Sequence, residues 1–306
     1  MRIVFLGTPE FARASLQALL DDGQEIAAVF TQPDRPRGRG MALSASPVKE
    51  LATERGIDVY QPETFKDGAP TELLKSLAPE LVVAVAYGRL LPEPFLIVPK
   101  HGSINVHASL LPKYRGSAPI QWAVLNGDKV TGVTVQRMAK EMDAGDIIAS
   151  RTTEIGEYET SGQLFDRLKT LGAELLTDTV HAIAEGRAES IKQNADEATY
   201  TTMLTKSMSP IDWSGTPRQI VKQICGLDPW PVASARLGDA DLRIFRAEYT
   251  SNTTLLAPGS IVSAGKAGIE VACGEGKTLL VTEVQPAGKK RMSAAAFLLG
   301  HPLSPQ

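Results

Sequence analysis

The stretch MRIVFLGTPEFARASLQALL, residues 1–20, decides how the rest of the chain is read. Arg2 to Gly7 is a short branched and apolar run, Thr8-Pro9 breaks it, and Phe11, Leu16, Leu19 and Leu20 then recur at helical spacing. The order is strand, turn, helix. Working outward, residues 25–31 form a second apolar run, followed by a Pro/Arg/Gly stretch. Ser46-Pro47 then supplies an N-cap and a first helical residue, and Gly56 a stop. Further runs stand at 81–86, 104–106, 133–138 and 147–155, and a long helical pattern covers 163–183 and ends near Gly186. Strands alternating with helices predict an α/β fold with a Rossmann-like, doubly wound, mostly parallel sheet. Its functional loops belong at the carboxyl ends of the strands.

Beyond about residue 206 the rhythm changes. One helix is predicted at 216–227, and short runs at 232–237, 242–250, 260–264, 268–273 and 279–284 are punctuated by Gly, Pro and Asp, as in a small antiparallel OB-like β-barrel. The polar stretch between these regions contains the linker. The expected organisation is a domain at 1–188, a linker at 189–206 and a barrel at 207–306.

The 306 residues are 43% hydrophobic and 22% charged, enough for a sizeable core, which excludes a disordered chain, a collagen-like repeat and a disulfide-stapled miniprotein. The 32 basic and 35 acidic side chains leave a formal charge of -3, so contact with a nucleic acid would rest on a local patch. Cys225 and Cys273 are the only cysteines and lack metal-type spacing, and so sparing a use of cysteine in a chain this long points to a reducing compartment. With no cationic leader and no apolar run near the length of a membrane span, a cytoplasmic protein is expected.

The turn Gly7-Thr8-Pro9-Glu10-Phe11 lacks the glycine pattern that admits a pyrophosphate, so no nicotinamide cofactor is expected. The informative stretch runs from Ser103 to Pro112. In a strand, Asn105 and His107 leave the same face about 7 Å apart, while Val106 points the other way. Downstream, Asp143 sits in the turn-like Met142-Asp143-Ala144-Gly145-Asp146. An amide can hold a developing oxyanion, an imidazole can relay a proton near neutral pH, and a carboxylate can orient that imidazole and stabilise its cation. There is no Ser or Cys nucleophile elbow, so direct transfer to a bound nucleophile fits better than a covalent enzyme intermediate.

Asn105-x-His107, Ser109-Leu110-Leu111-Pro112-Lys113-Tyr114-Arg115-Gly116, Ala118-Pro119-Ile120-Gln121 and Asp143 resemble the active-site pattern of the folate-dependent formyltransferases, over essentially the whole chain. The resemblance implies that 10-formyltetrahydrofolate, a co-substrate, donates its formyl group to the amine of methionine esterified to initiator tRNA, with no metal. Asn105, His107 and Asp143 would be catalytic. Ser109, Leu110, Leu111, Pro112, Tyr87, Gly88 and Leu90 would form the folate site, and the resemblance also suggests a cis Leu111-Pro112 peptide. It further implies that Arg35, Arg37 and Arg39, in a Gly/Pro-rich loop, and Lys289, Lys290 and Arg291, near the end of the barrel, contact tRNA. A monomer is expected. A formyltransferase for a nucleotide-linked amino-sugar and a catalytically silent tRNA-binding protein are the competing readings; the basic elements speak against the first, and the intact triad against the second.

Overall fold

The computed structural model describes residues 1–37 and 42–305. In chain order the elements are β1 (Arg2–Gly7), α1 (Glu10–Asp21), β2 (Glu25–Phe30), β3 (Arg35–Arg37), β4 (Ala42–Ser44), α2 (Pro47–Glu54), β5 (Val59–Tyr60), α3 (Ala69–Leu77), β6 (Leu81–Val85) and α4 (Glu93–Leu96). There follow β7 (Ser103–His107), β8 (Arg115–Gly116), α5 (Pro119–Leu125), β9 (Val130–Arg137), β10 (Ile147–Glu154), α6 (Ser161–Ala184) and β11 (Tyr200–Thr201). The remainder is α7 (Pro217–Leu227), β12 (Ala233–Leu237), β13 (Ala240–Thr253), β14 (Ile261–Gly265), β15 (Gly268–Cys273), β16 (Lys277–Pro286), β17 (Met292–Ser293) and α8 (Ala294–Gly300). Two compact units result: Met1–Ser117 with Thr131–Thr153 and Phe165–Thr201, and Ala118–Val130 with Glu154–Leu164 and Thr202–Gln306. The chain therefore crosses between units more often than a division at 188 and 207 suggests, and residues 189–201 belong to the first unit rather than to a linker.

In the first unit the sheet order is β10-β9-β7-β6-β1-β2-β5. The strands β7, β6, β1, β2 and β5 pair in parallel, and β9 runs antiparallel to β7. The order reverses at β1, with β2 on one side and β6 on the other, which is where open α/β sheets leave a crevice beyond their strand ends. Parallel strands carry helices on both faces, and β6 is accordingly buried throughout. One side of the core gathers Leu6, Phe30, Phe65, Leu74, Val82 and Phe95, with Phe30 edge-on to Phe95 at 5.9 Å. As its sequence predicts, α2 begins at Ser46, whose Oγ accepts the Lys49 N–H at 3.1 Å. The Pro/Arg/Gly stretch, expected as an open loop, instead starts and ends in a two-stranded antiparallel pair, β3 with β4.

The second unit orders its strands β12-β13-β16-β15-β14, with β17 on β16, all neighbours being antiparallel. Among the described residues no pairing joins β12 to β14, so the element seen is an antiparallel sheet. The preceding helix α7 opens with a capping box, Thr216 and Gln219 satisfying one another's backbone N–H groups. Glu270 in β15 is 8% exposed, and its carboxylate accepts hydrogen bonds from Thr278 Oγ1 (2.6 Å), Asn252 Nδ2 (2.7 Å) and Ser263 Oγ (3.0 Å). These donors, Thr278 foremost, hold its pKa below the ordinary 4.5. A depressed carboxylate contributes stability that is complete above the unfolded-state value and is lost as pH falls through the folded one. Glu270→Gln is therefore expected to cost about 1.5–3 kcal/mol at neutral pH, a deficit that shrinks as the pH falls below about 4.5. Thermal melts across that range check it; a deficit that does not change with pH would disprove the ionic account.

Candidate active site

The expected alternation along β7 is present. Asn105 is half-buried and His107 8% exposed. Val106 faces the opposite side, where an added Cβ on Gly172 of α6 would lie 3.4 Å from it. Register places Asn105 opposite Gln136 and His107 opposite Thr134 on β9, so all four side chains share one face of the sheet. Among the described residues the Asn105 amide has no protein partner. His107 Nε2 donates to the Tyr114 carbonyl at 2.8 Å, which assigns a proton to that nitrogen and leaves Nδ1 facing Asp143.

Asp143 comes to this face from the turn after β9. Its Oδ1 stands 3.6 Å from His107 Nδ1, a charge contact rather than a hydrogen bond. The carboxylate is 13% exposed and accepts the Gly116 N–H at Oδ2 (2.9 Å) and Gln136 Nε2 at Oδ1 (3.2 Å). Gly116 is needed here: its φ is +101°, and a Cβ would lie 2.6 Å from the Thr201 carbonyl across the β8–β11 pair. Asn105 and His107 of β7 and Asp143 from the turn after β9 are thus brought to one face of the sheet near the carboxyl end of β7. The arrangement can donate to a developing oxyanion, hold a cation beside it and exchange a proton.

The residues expected to hold folate divide into two groups. The loops 86–91 and 108–112 leave the carboxyl ends of the adjacent strands β6 and β7. Leu90 is 68% exposed, Leu110 and Pro112 are half-buried, Gly88 is exposed with φ +76°, and the Leu111-Pro112 peptide is cis. These offer apolar surface and backbone to a flat ring. Ser109, Tyr87 and Leu111 instead build the loops. The buried Ser109 hydroxyl donates to the Lys113 carbonyl at 2.6 Å. The Tyr87 ring lies in the core against Phe65, where burial pushes its hydroxyl up to about 12, and its carbonyl accepts Gln32 Nε2 at 2.8 Å. Leu111 is 6% exposed.

Of the basic residues, Arg35 is exposed and donates to Gln32 Oε1 at 3.0 Å, Arg37 is described only as backbone of β3, and Arg39 lies outside the described residues. The hairpin base is fastened by Lys49, which pairs with Asp34 (2.6 Å) and donates to Gln61 (2.8 Å). Lys289 and Lys290 are exposed. Arg291 differs from expectation: it bridges Asp228 (3.3 Å) and Glu283 (2.6 Å) and lies 4.2 Å over the Phe245 ring. The guanidinium remains exposed at 43% while making these contacts within its own unit.

Sequence reasoning did not single out Gln136 or Gln193, and took Arg115 only as part of a motif. Gln193, inside the expected linker, is 8% exposed and touches the Asp143 turn. No signal in the sequence points to it: Arg115 stands among Lys113, Tyr114, Gly116 and Ser117, a polar setting that does not mark it as buried.

An amide with no protein partner among the described residues, an imidazole and a carboxylate, gathered on one face of the sheet, make a set of groups suited to transfer chemistry at a carbonyl carbon. The description "Formyl transferase" matches residues 1–180, and "Formyl transferase, C-terminal domain" matches 203–302. The chain belongs to the formyl transferase family. It is 45% identical over 303 residues to a methionyl-tRNA formyltransferase of Trichlorobacter lovleyi, covering 99% of this chain and 95% of that protein. It is 45% identical over 304 residues to that of Methylococcus capsulatus, covering 99% and 98%. In fold it is similar to the N-formyltransferase from Helicobacter canadensis solved with folinic acid and dTDP-3-aminofucose (TM-score 0.70, 18% identity, 93% of this chain and 98% of that one). It is also similar in fold to HypX from Aquifex aeolicus in complex with tetrahydrofolic acid (TM-score 0.62, 17% identity, 97% and 47%). Among the described residues no helix is long and apolar enough to cross a membrane, and no group of His, Cys, Asp and Glu side chains is placed to hold a metal ion.

Proposed function

We infer that this chain transfers the formyl group of 10-formyltetrahydrofolate to the free amine of methionyl-initiator tRNA, giving N-formylmethionyl-tRNA. What carries the reading is the meeting of Asn105, His107 and Asp143 in a chain that matches methionyl-tRNA formyltransferases over nearly its full length. Asn105 donates to the formyl oxygen as the amine adds to the formyl carbon and that oxygen becomes negative. His107, protonated at Nδ1 as well as Nε2, adds positive charge beside it. Asp143 holds that cation and takes the proton released by the amine by way of His107, whose Nδ1 passes its proton to the carboxylate and regains one from the amine, directly or through water. The carbon–nitrogen bond to the folate then breaks, and the proton passes to the departing folate nitrogen. Leu90, Leu110 and Pro112 supply the apolar walls for the pterin, with backbone of the Gly88 loop at its edge. On this reading the enzyme works in the cytoplasm as a monomer.

Purified protein mixed with 10-formyltetrahydrofolate and either methionyl-tRNA or a nucleotide-linked amino-sugar tests this. Formylation of methionyl-tRNA alone is expected; formylation of the sugar alone would refute it. The arginines of the 35–39 stretch choose the acceptor through phosphate contacts. Arg37→Glu with Arg39→Glu is therefore expected to raise KM for tRNA by at least about tenfold while that for folate stays within about twofold. Equal damage to both constants would remove these arginines from tRNA recognition.

A further inference from the structure

Resting on the function just proposed, the geometry assigns to Gln193, itself gripped by the buried Arg115, the role of positioning residue for Asp143. Asp143 has φ +52°, a left-handed backbone that residues with side chains rarely adopt, so its turn needs outside support. Gln193 Nε2 lies 2.8 Å from the Asp143 carbonyl and 2.7 Å from that of Gly145, with Gln136 Oε1 a longer third contact at 3.1 Å. An amide nitrogen carries two hydrogens, and the two short contacts use both on one turn. Gln193 Oε1 receives Arg115 Nε and Nη2 at 3.1 and 2.7 Å, and both side chains are more than nine-tenths buried. A guanidinium on the oxygen side polarises the amide and strengthens its donation to the turn.

Strand β8 thus acts on Asp143 twice. The Gly116 N–H holds the carboxylate, and the side chain of Arg115, one residue earlier, holds the glutamine that fixes the carboxylate's own backbone. Gln136 closes the ring, donating to Asp143 Oδ1 while its Oε1 faces Gln193. Four polar groups from three segments converge on a single turn, and that turn carries the one candidate acid–base group outside β7. A displacement of about 1 Å at such a group costs up to two orders of magnitude in rate, which gives the ring its purpose.

Gln193→Glu leaves Arg115 a partner and so keeps the fold, but it donates nothing to the two carbonyls. It is expected to lower kcat at least about tenfold, with KM for 10-formyltetrahydrofolate and for methionyl-tRNA within about twofold. Added to Asp143→Asn it is expected to cause no further loss, because it acts through the same group. The charge-neutral Gln193→Met, which also takes the acceptor from Arg115 and is therefore assayed well below its own melting transition, repeats the pattern. A readout that needs no turnover is the Gly116 amide proton in NMR, which its bond to the carboxylate moves downfield. In both Gln193 variants it should shift toward its place in Asp143→Asn. Wild-type kcat in Gln193→Glu, losses that multiply with Asp143→Asn, or an unmoved Gly116 resonance would each overturn the assignment. If the wild-type chain transfers no formyl group, the functional reading fails, and the Gly116 resonance alone decides whether Gln193 positions Asp143.

Discussion

Asn105→Ala is expected to lower kcat by about two to three orders of magnitude, ~2.7–4 kcal/mol of transition-state stabilisation, with KM for both substrates nearly unchanged. The amide stands half-buried on β7 with no protein partner among the described residues. Its donor is therefore free for the oxygen that gains charge, and no internal hydrogen bond is lost with it. Stability should move by no more than about 0.5 kcal/mol, the range of substitutions outside packed features. Steady-state kinetics with a melting curve separate the two quantities. A variant that keeps wild-type kcat, or loses activity only in proportion to folded protein, would remove Asn105 from the reaction.

His107→Ala is expected to lower kcat by about two to four orders of magnitude, the range for a positioned proton-transfer group. It also takes a bond from the Tyr114 carbonyl, at a cost of about 1–3 kcal/mol in stability. Rates must then be compared well below the melting transition, under single turnover, so that a smaller folded fraction is not mistaken for slower chemistry. Because Nε2 is committed to Tyr114, the proton that moves does so at Nδ1, toward Asp143. Near-normal single-turnover rates in His107→Ala would refute this route. The expected loss exceeds that at Gln193 because His107 would touch the reacting atoms, whereas Gln193 acts through another residue.

Local regularities carried most of the fold into the sequence. The period-two alternation of Asn105, Val106 and His107 and the Ser46-Pro47 start of α2 depend on a few neighbouring residues, and both appear in the structure as read. The strand–turn–helix of residues 2–21 likewise needs no distant contact. What stayed hidden depends on distance along the chain. Gln193 reads as one more polar residue in a polar stretch, and only its pairing with Arg115, 78 positions away, buries it. Arg291 reads as part of a basic turn, and its ion pairs with Asp228 and Glu283 depend on contacts that a local reading does not reach. The hairpin of β3 and β4 escaped because glycine and proline there signal a turn without saying that strands flank it.

The short pairing of β8 with β11 has a bearing on synthesis. The amide that grips Asp143 belongs to a segment whose partner strand ends at Thr201, and the glutamine behind that carboxylate is residue 193. A nascent chain leaving the ribosome exposes residues 1–188, with the entire parallel sheet, while the turn of its proposed acid–base carboxylate still lacks Gln193 and β8 still lacks its partner strand. Competence for catalysis therefore arrives late, when the thirteen residues that follow have emerged and closed over the turn. A fragment cut at 188 could keep its sheet and still lack a working centre.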